Sequence, residues 1–79
     1  MNVTVKLFAG LRTAAGTAEV PVTLANGTTV RDAALAVVEL YPSVDVRGVM
    51  VAVNARYAKT TTALADGDVV ALLPPVSGG

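Results

Sequence analysis

The chain has 79 residues, 53% of them hydrophobic and 15% charged, which supplies one small core and leaves no length for a second domain. It contains neither cysteine nor histidine, which excludes disulfides, thiolate metal sites and the usual neutral-pH acid–base catalyst. Six basic residues balance six acidic ones, which argues against a nucleic-acid surface, since such a surface carries a basic excess.

From Val3 to Phe8 the residues alternate, with Val3, Val5 and Leu7 on one face and Thr4, Lys6 and Phe8 on the other. This is the pattern of a half-buried strand. Phe8 breaks the polar face, and it is either covered by a loop or held out for a partner. Ala9 to Gly16 predicts a short helix or turn closed by Gly16. A second alternation runs from Ala18 to Leu24, and Pro21 assigns it to a sheet edge because proline cannot donate to a ladder.

Ala25-Asn26-Gly27-Thr28 reads as a turn. Thr29 stands three residues before Asp32 as a helix N-cap, and the helix predicted over Val30 to Tyr41 stops at Pro42. Its inward face is Val30, Ala33, Ala34, Val37, Val38 and Tyr41. Val49 to Val53 is a continuous apolar run suited to an inner strand. A turn at Asn54-Ala55 leads to a short return strand, Arg56-Tyr57-Ala58; Ala65-Asp66-Gly67-Asp68 is another turn, and Val69 to Leu73 is the last strand. One sheet on one main helix makes an α+β domain over residues 1–73.

The six residues that follow, Pro74-Pro75-Val76-Ser77-Gly78-Gly79, have a different character. Two prolines remove two N–H donors and hold the backbone extended. Two glycines then give a tip without side chains. Fully extended, residues 74–79 reach roughly 20 Å beyond the domain. A frayed terminus is the plain alternative.

The ionisable residues offer no independent active site. Glu19, Asp32, Glu39, Asp45, Asp66 and Asp68 fall in turns or on polar faces, with no catalytic pair among them. Asp66 and Asp68 flank Gly67 as turn formers rather than as a calcium site, which needs six or more oxygens. Ser77 has no histidine base, and Gly10 and Gly16 lack the Gly-Lys-Ser/Thr ending of a phosphate loop. The chemistry is therefore expected at the carboxylate of Gly79.

Four stretches carry a resemblance: Leu7-Phe8-Ala9 with Leu11-Arg12; Val51-Ala52-Val53-Asn54; Leu64-Ala65-Asp66-Gly67-Asp68-Val69; and Pro-Pro-Val-Ser-Gly-Gly at the end. With these the chain resembles the ubiquitin-like sulfur-carrier family (MoaD/ThiS type), nearest in pattern to the small subunits of molybdopterin synthase. The resemblance implies a ubiquitin-like β-grasp fold, a mixed sheet on one main helix with residues 74–79 as a carrier tail. It also implies a mechanism. An E1-like adenylating enzyme spends ATP on the Gly79 carboxylate, and sulfur attack gives a thiocarboxylate. The large subunit of molybdopterin synthase, in an expected heterotetramer, uses that sulfur for the molybdopterin dithiolene.

Two alternatives stay open: sulfur delivery to thiamine, cysteine or tRNA, and a ubiquitin-like modifier joined to lysines through Gly79. By the same resemblance Phe8, Tyr57 and Leu73 match an apolar docking patch, and Arg12 matches a cation that pairs with a carboxylate on a partner or near the tail. The competing reading has Phe8 and Leu73 completing the core under Tyr57. No cofactor or metal is expected on the chain itself. No apolar run approaches the ~20 residues of a membrane span. Met1-Asn2-Val3-Thr4 lacks the pattern of a signal peptide, so the expected location is cytoplasmic.

Overall fold

A computed structural model of the chain describes residues 1–75. The elements run β1 (Asn2–Leu7), α1 (Ala9–Ala15), β2 (Glu19–Thr23), α2 (Val30–Leu40), β3 (Met50–Val53), β4 (Arg56–Ala58) and β5 (Val69–Leu73). Five strands form one mixed sheet in the order β2-β1-β5-β3-β4. β1 and β5 are parallel and every other pair is antiparallel. This is the α+β ubiquitin-like β-grasp that the resemblance implies, with a second helix, α1, between the first two strands.

Alternation decides which face is buried. Val3, Val5 and Leu7 of β1, Val20 and Val22 of β2, and Val70 and Leu72 of β5 point to one side and meet Val30, Ala33, Ala34 and Val37 of α2. Val5, Val30, Val37, Val70 and Leu72 are wholly buried. β5 lies between β1 and β3, so both of its edges are hydrogen-bonded. The strand that leads into residues 74–79 is thus the central one of the sheet.

Several boundaries differ from expectation by one residue. The first strand ends at Leu7, because Phe8, still extended (φ −125°, ψ 153°), serves as the cap before α1. Helix α2 ends at Leu40, and Tyr41 (φ −133°) takes the C-cap, so it leaves the helical conformation before Pro42. β3 begins at Met50 rather than Val49. Pro21 does sit on an edge strand, β2.

The four aspartates each accept a backbone N–H. The Asp32 carboxylate accepts the Thr29 backbone N–H at 2.9 Å and the Thr29 hydroxyl at 3.0 Å, closing the first turn of α2. Asp66 accepts the Asn2 N–H at 2.6 Å; Asp68 accepts the Ala65 N–H at 2.8 Å and the Asn54 side-chain amide at 2.9 Å. Asp45 pairs with Arg47, Nη2 to Oδ2, at 2.7 Å. Donors aimed at a carboxylate favour its charged form. Hydrogen bonds from Thr29 lower the pKa of Asp32, those from Ala65 and then Asn54 lower that of Asp68, and those of Arg47 hold Asp45 down at about 2.

A carboxyl whose folded pKa lies below its unfolded value adds stability that is present above the unfolded value. That stability is lost as pH falls through the folded one. The urea midpoint is therefore expected to hold near neutral pH and to drop as pH falls from about 4 toward about 2, the window Asp45 opens. A midpoint unchanged or rising across that interval would contradict the assignment. Asp32 and Asp45 are exposed and Asp68 is only half-buried, so the drop is expected to be modest.

The β3–β4 turn is built from Asn54 (φ +50°) and Ala55 (φ +68°). Two consecutive positive φ values make the hairpin turn that matches strand twist. Asparagine tolerates this region and here is also held by Asp68. Alanine gains nothing comparable. Ala55→Gly is expected to raise stability by about 0.5–1 kcal/mol, the relief of a left-handed alanine less the extra chain entropy of glycine. A lower urea midpoint for the variant would show that the turn is not strained.

Candidate functional site

Among the described residues no helix lies over the face of the sheet turned away from α2. Strand register arranges it in rows. One row runs Lys6, Ala71, Ala52, Tyr57 across β1, β5, β3 and β4. In the next row Leu73 stands opposite Met50, and Phe8, one residue past the Leu7–Leu72 pair, comes level with Leu73. Phe8 is 42% exposed, Met50 44% and Tyr57 76%, while Leu73 is half-buried. None of these side chains belongs to the core cluster on the α2 side. Beside them a depression of about 400 Å³ is lined by Lys6, Phe8, Asn54, Ala55, Val69 and Ala71.

The structure therefore places three of the four residues expected at a docking patch on one face of the sheet: Phe8 level with Leu73, and Tyr57 on the edge strand β4 in the adjoining row. Arg12 stands apart. It lies in the last turn of α1, exposed, and among the described residues its guanidinium makes no hydrogen bond or ion pair. Met50 was legible only as part of an apolar run, Val49 to Val53. Its place on the open face follows from the Met50–Leu73 pairing, which periodicity within one strand cannot supply.

The patch ends where the chain leaves the sheet. β5 stops at Leu73; Pro74 is half-buried and Pro75 exposed. Gly48 lies alongside. It holds φ +71°, and a Cβ built on it would stand 3.8 Å from the Pro75 ring. Glycine at 48 thus serves the turn before β3, at the point where the prolines depart. The expectations resting on Val76, Ser77, Gly78 and Gly79 lie outside the described residues.

Among the described residues no group of three or more His, Cys, Asp or Glu side chains is placed to hold a metal ion. No helix there is long and apolar enough to cross a membrane.

Residues 5–79 match the model of the ThiS family. The molybdopterin synthase sulfur carrier subunit of Chlamydomonas reinhardtii is 34% identical over the full length of both chains. Among solved structures, SAMP1 of Haloferax volcanii, a small archaeal modifier protein, superposes with a TM-score of 0.88 at 34% identity over 100% of both chains. A putative molybdopterin converting factor subunit 1 of Pyrococcus furiosus gives 0.80 at 34% identity, covering 95% of this chain and 98% of the other.

Proposed function

The chain belongs to the ThiS family, a ubiquitin-like sulfur-carrier and modifier group, and from that membership we propose that it is a carrier activated at the carboxylate of Gly79. Single observations support the two halves of this reading. The full-length similarity to a small archaeal modifier protein supports the class. The apolar face running up to the root of residues 74–79 supports partner-dependent use.

The chemistry follows from the weakness of a carboxylate as an electrophile. An E1-like partner joins the Gly79 carboxylate to AMP from ATP, releasing pyrophosphate. A sulfur nucleophile then expels AMP and leaves a thiocarboxylate, whose soft anionic sulfur passes to an acceptor. A lysine amine attacking the same activated carbonyl would give an isopeptide bond instead. Gly78 and Gly79 let the reacting carbonyl enter a narrow active site, and Pro74-Pro75 limit the backbone entropy lost on entry. All of this is proposed for the cytoplasm.

Two destinations have support. Protein modification is the stronger, because the 0.88 superposition is with a modifier. Service as the small subunit of molybdopterin synthase, in a heterotetramer with the large subunit, rests on the full-length curated relative at 34% identity.

One mass-spectrometric experiment on protein from its own host separates these outcomes. A mass change of one oxygen replaced by sulfur at the C-terminus would establish the carrier. The last basic residue is Lys59, so trypsin would leave a Thr60–Gly79 branch on any modified lysine. Branched peptides would establish the modifier. Absence of both signals from cells that use the protein would overturn the proposal.

A further inference from the structure

The chain has three asparagines, Asn2, Asn26 and Asn54, and the fold treats them differently. The Asn2 side-chain oxygen accepts the Thr23 hydroxyl at 3.0 Å, and the next residue, Val3, is β-branched and paired with Val22 in the sheet. The Asn54 amide is held at both ends: Nδ2 donates to Asp68 at 2.9 Å, and Oδ1 accepts the Val69 N–H at 3.0 Å. Asn26 lies exposed in the turn between β2 and α2. Thr28 closes that turn, its N–H and its hydroxyl donating to the Ala25 carbonyl at 3.4 and 3.0 Å. Among the described residues neither the Asn26 amide nor the Gly27 N–H makes a hydrogen bond. Gly27 is exposed, and a Cβ built on it would meet nothing within 4 Å.

An asparagine amide reacts when the next backbone nitrogen can reach its side-chain carbonyl carbon. A Cβ on the following residue hinders that approach, and a hydrogen bond on the amide or on the attacking N–H holds the partners apart. Glycine removes the first obstacle. At Asn26-Gly27 the second is missing as well, whereas Asn2 and Asn54 each keep both a following Cβ and a bonded amide.

We propose that Asn26-Gly27 is a self-modification site, at which the folded protein loses the Asn26 amide to water. The Gly27 nitrogen gives up its proton and bonds to the Asn26 Cγ. The Cγ–Nδ2 bond breaks, and ammonia leaves with that proton, which closes a succinimide. Water then adds to one of the two ring carbonyls, and the ring C–N bond breaks with the nitrogen regaining a proton. Opening at the main-chain carbonyl routes the backbone through the side chain as isoaspartate; opening at Cγ gives aspartate. Either product carries one new carboxylate, so a chain of formal net charge zero becomes acidic. The site lies beyond Thr23, which pairs with Asn2, whereas the chain leaves β5 at the Leu7–Leu72 end. The new charge therefore arises at the end of the sheet away from Phe8, Leu73 and residues 74–79.

The test ages the full chain in mildly alkaline buffer, with and without guanidinium chloride, and digests samples with trypsin at intervals. The basic residues put each asparagine in its own peptide: Met1–Lys6, Thr13–Arg31 and Gly48–Arg56. In the native chain the mass change of one NH2 replaced by OH is expected in Thr13–Arg31, at least about tenfold faster than in the other two. Its rate is expected to rise with pH, because the attacking nitrogen must lose a proton. It is also expected to lie within about tenfold of the rate in guanidinium chloride, since the folded turn holds neither reacting group. Gly27→Ala, checked for folding by circular dichroism, is expected to slow the change about tenfold or more. Conversion first in Met1–Lys6 or Gly48–Arg56, or a native rate more than about a hundredfold below the denatured one, would overturn the proposal. So would an undiminished rate in Gly27→Ala. The native and denatured rates of the unaltered chain decide the matter even where that variant fails to fold.

Discussion

A chain bearing one extra alanine after Gly79 is expected to lose carrier activity while unfolding at the temperature of the unaltered protein. The reacting atom is proposed to be the terminal carbonyl carbon. One added residue displaces it by roughly 3.5 Å, and a misplacement of about 1 Å already costs on the order of 100-fold in rate. Stability is expected to be untouched because, among the described residues, the last member of the core cluster is Leu72 and β5 ends at Leu73, well before the altered position. Partner-dependent ATP–pyrophosphate exchange reads the first effect and a thermal melt the second. Undiminished exchange and undiminished sulfur transfer from the extended chain would mean that Gly79 is not the reacting position. Loss of both exchange and thermal stability would instead make the tail a structural element.

The fold was legible because most of its signals are local. Val3, Val5 and Leu7 alternate, Thr29 and Asp32 close a helix start, and Gly16 and Pro42 end helical segments; each follows from one stretch of backbone. The open face was half legible. Phe8 stood out because it is apolar on a polar face, and Leu73 because it precedes the prolines. Their nearness depends on β1 and β5 being parallel neighbours, a long-range pairing that no local pattern contains. Met50 escaped for the same reason. A strand flanked on both sides reads as continuously apolar, and only its register with β5 tells which residues face away from the core. The exposure of Leu35 was illegible: it looks like any helix leucine in sequence, yet it stands 46% exposed beside Val46 and Val49 on the flank of α2.

The same register separates two leucine- and phenylalanine-sized substitutions that the sequence alone leaves equivalent. Leu72 is fully buried, between β1 and β3 and toward α2. Leu72→Ala is expected to lower unfolding stability by about 2–5 kcal/mol, the lost transfer energy plus the residual cavity. A domain of this size has a total stability of only about 5–15 kcal/mol, so this variant approaches the limit of folding. Phe8 is 42% exposed on the other face. Its contribution to the helix start is a backbone one: the Phe8 carbonyl accepts the Leu11 N–H at 3.1 Å, and alanine retains that carbonyl.

Phe8→Ala is therefore expected to cost under about 1 kcal/mol of stability, within the range of substitutions away from the core. At a docking interface an aromatic anchor is worth ~2 kcal/mol or more, so affinity for the activating partner is expected to fall about thirtyfold. Urea unfolding and partner titration on both variants decide the matter. Should Phe8→Ala lose as much stability as Leu72→Ala, Phe8 is core and the open face is not where partners dock. Should it keep both stability and affinity, the patch of Phe8, Met50, Tyr57 and Leu73 is a bare surface, and partner recognition must come from elsewhere on the domain.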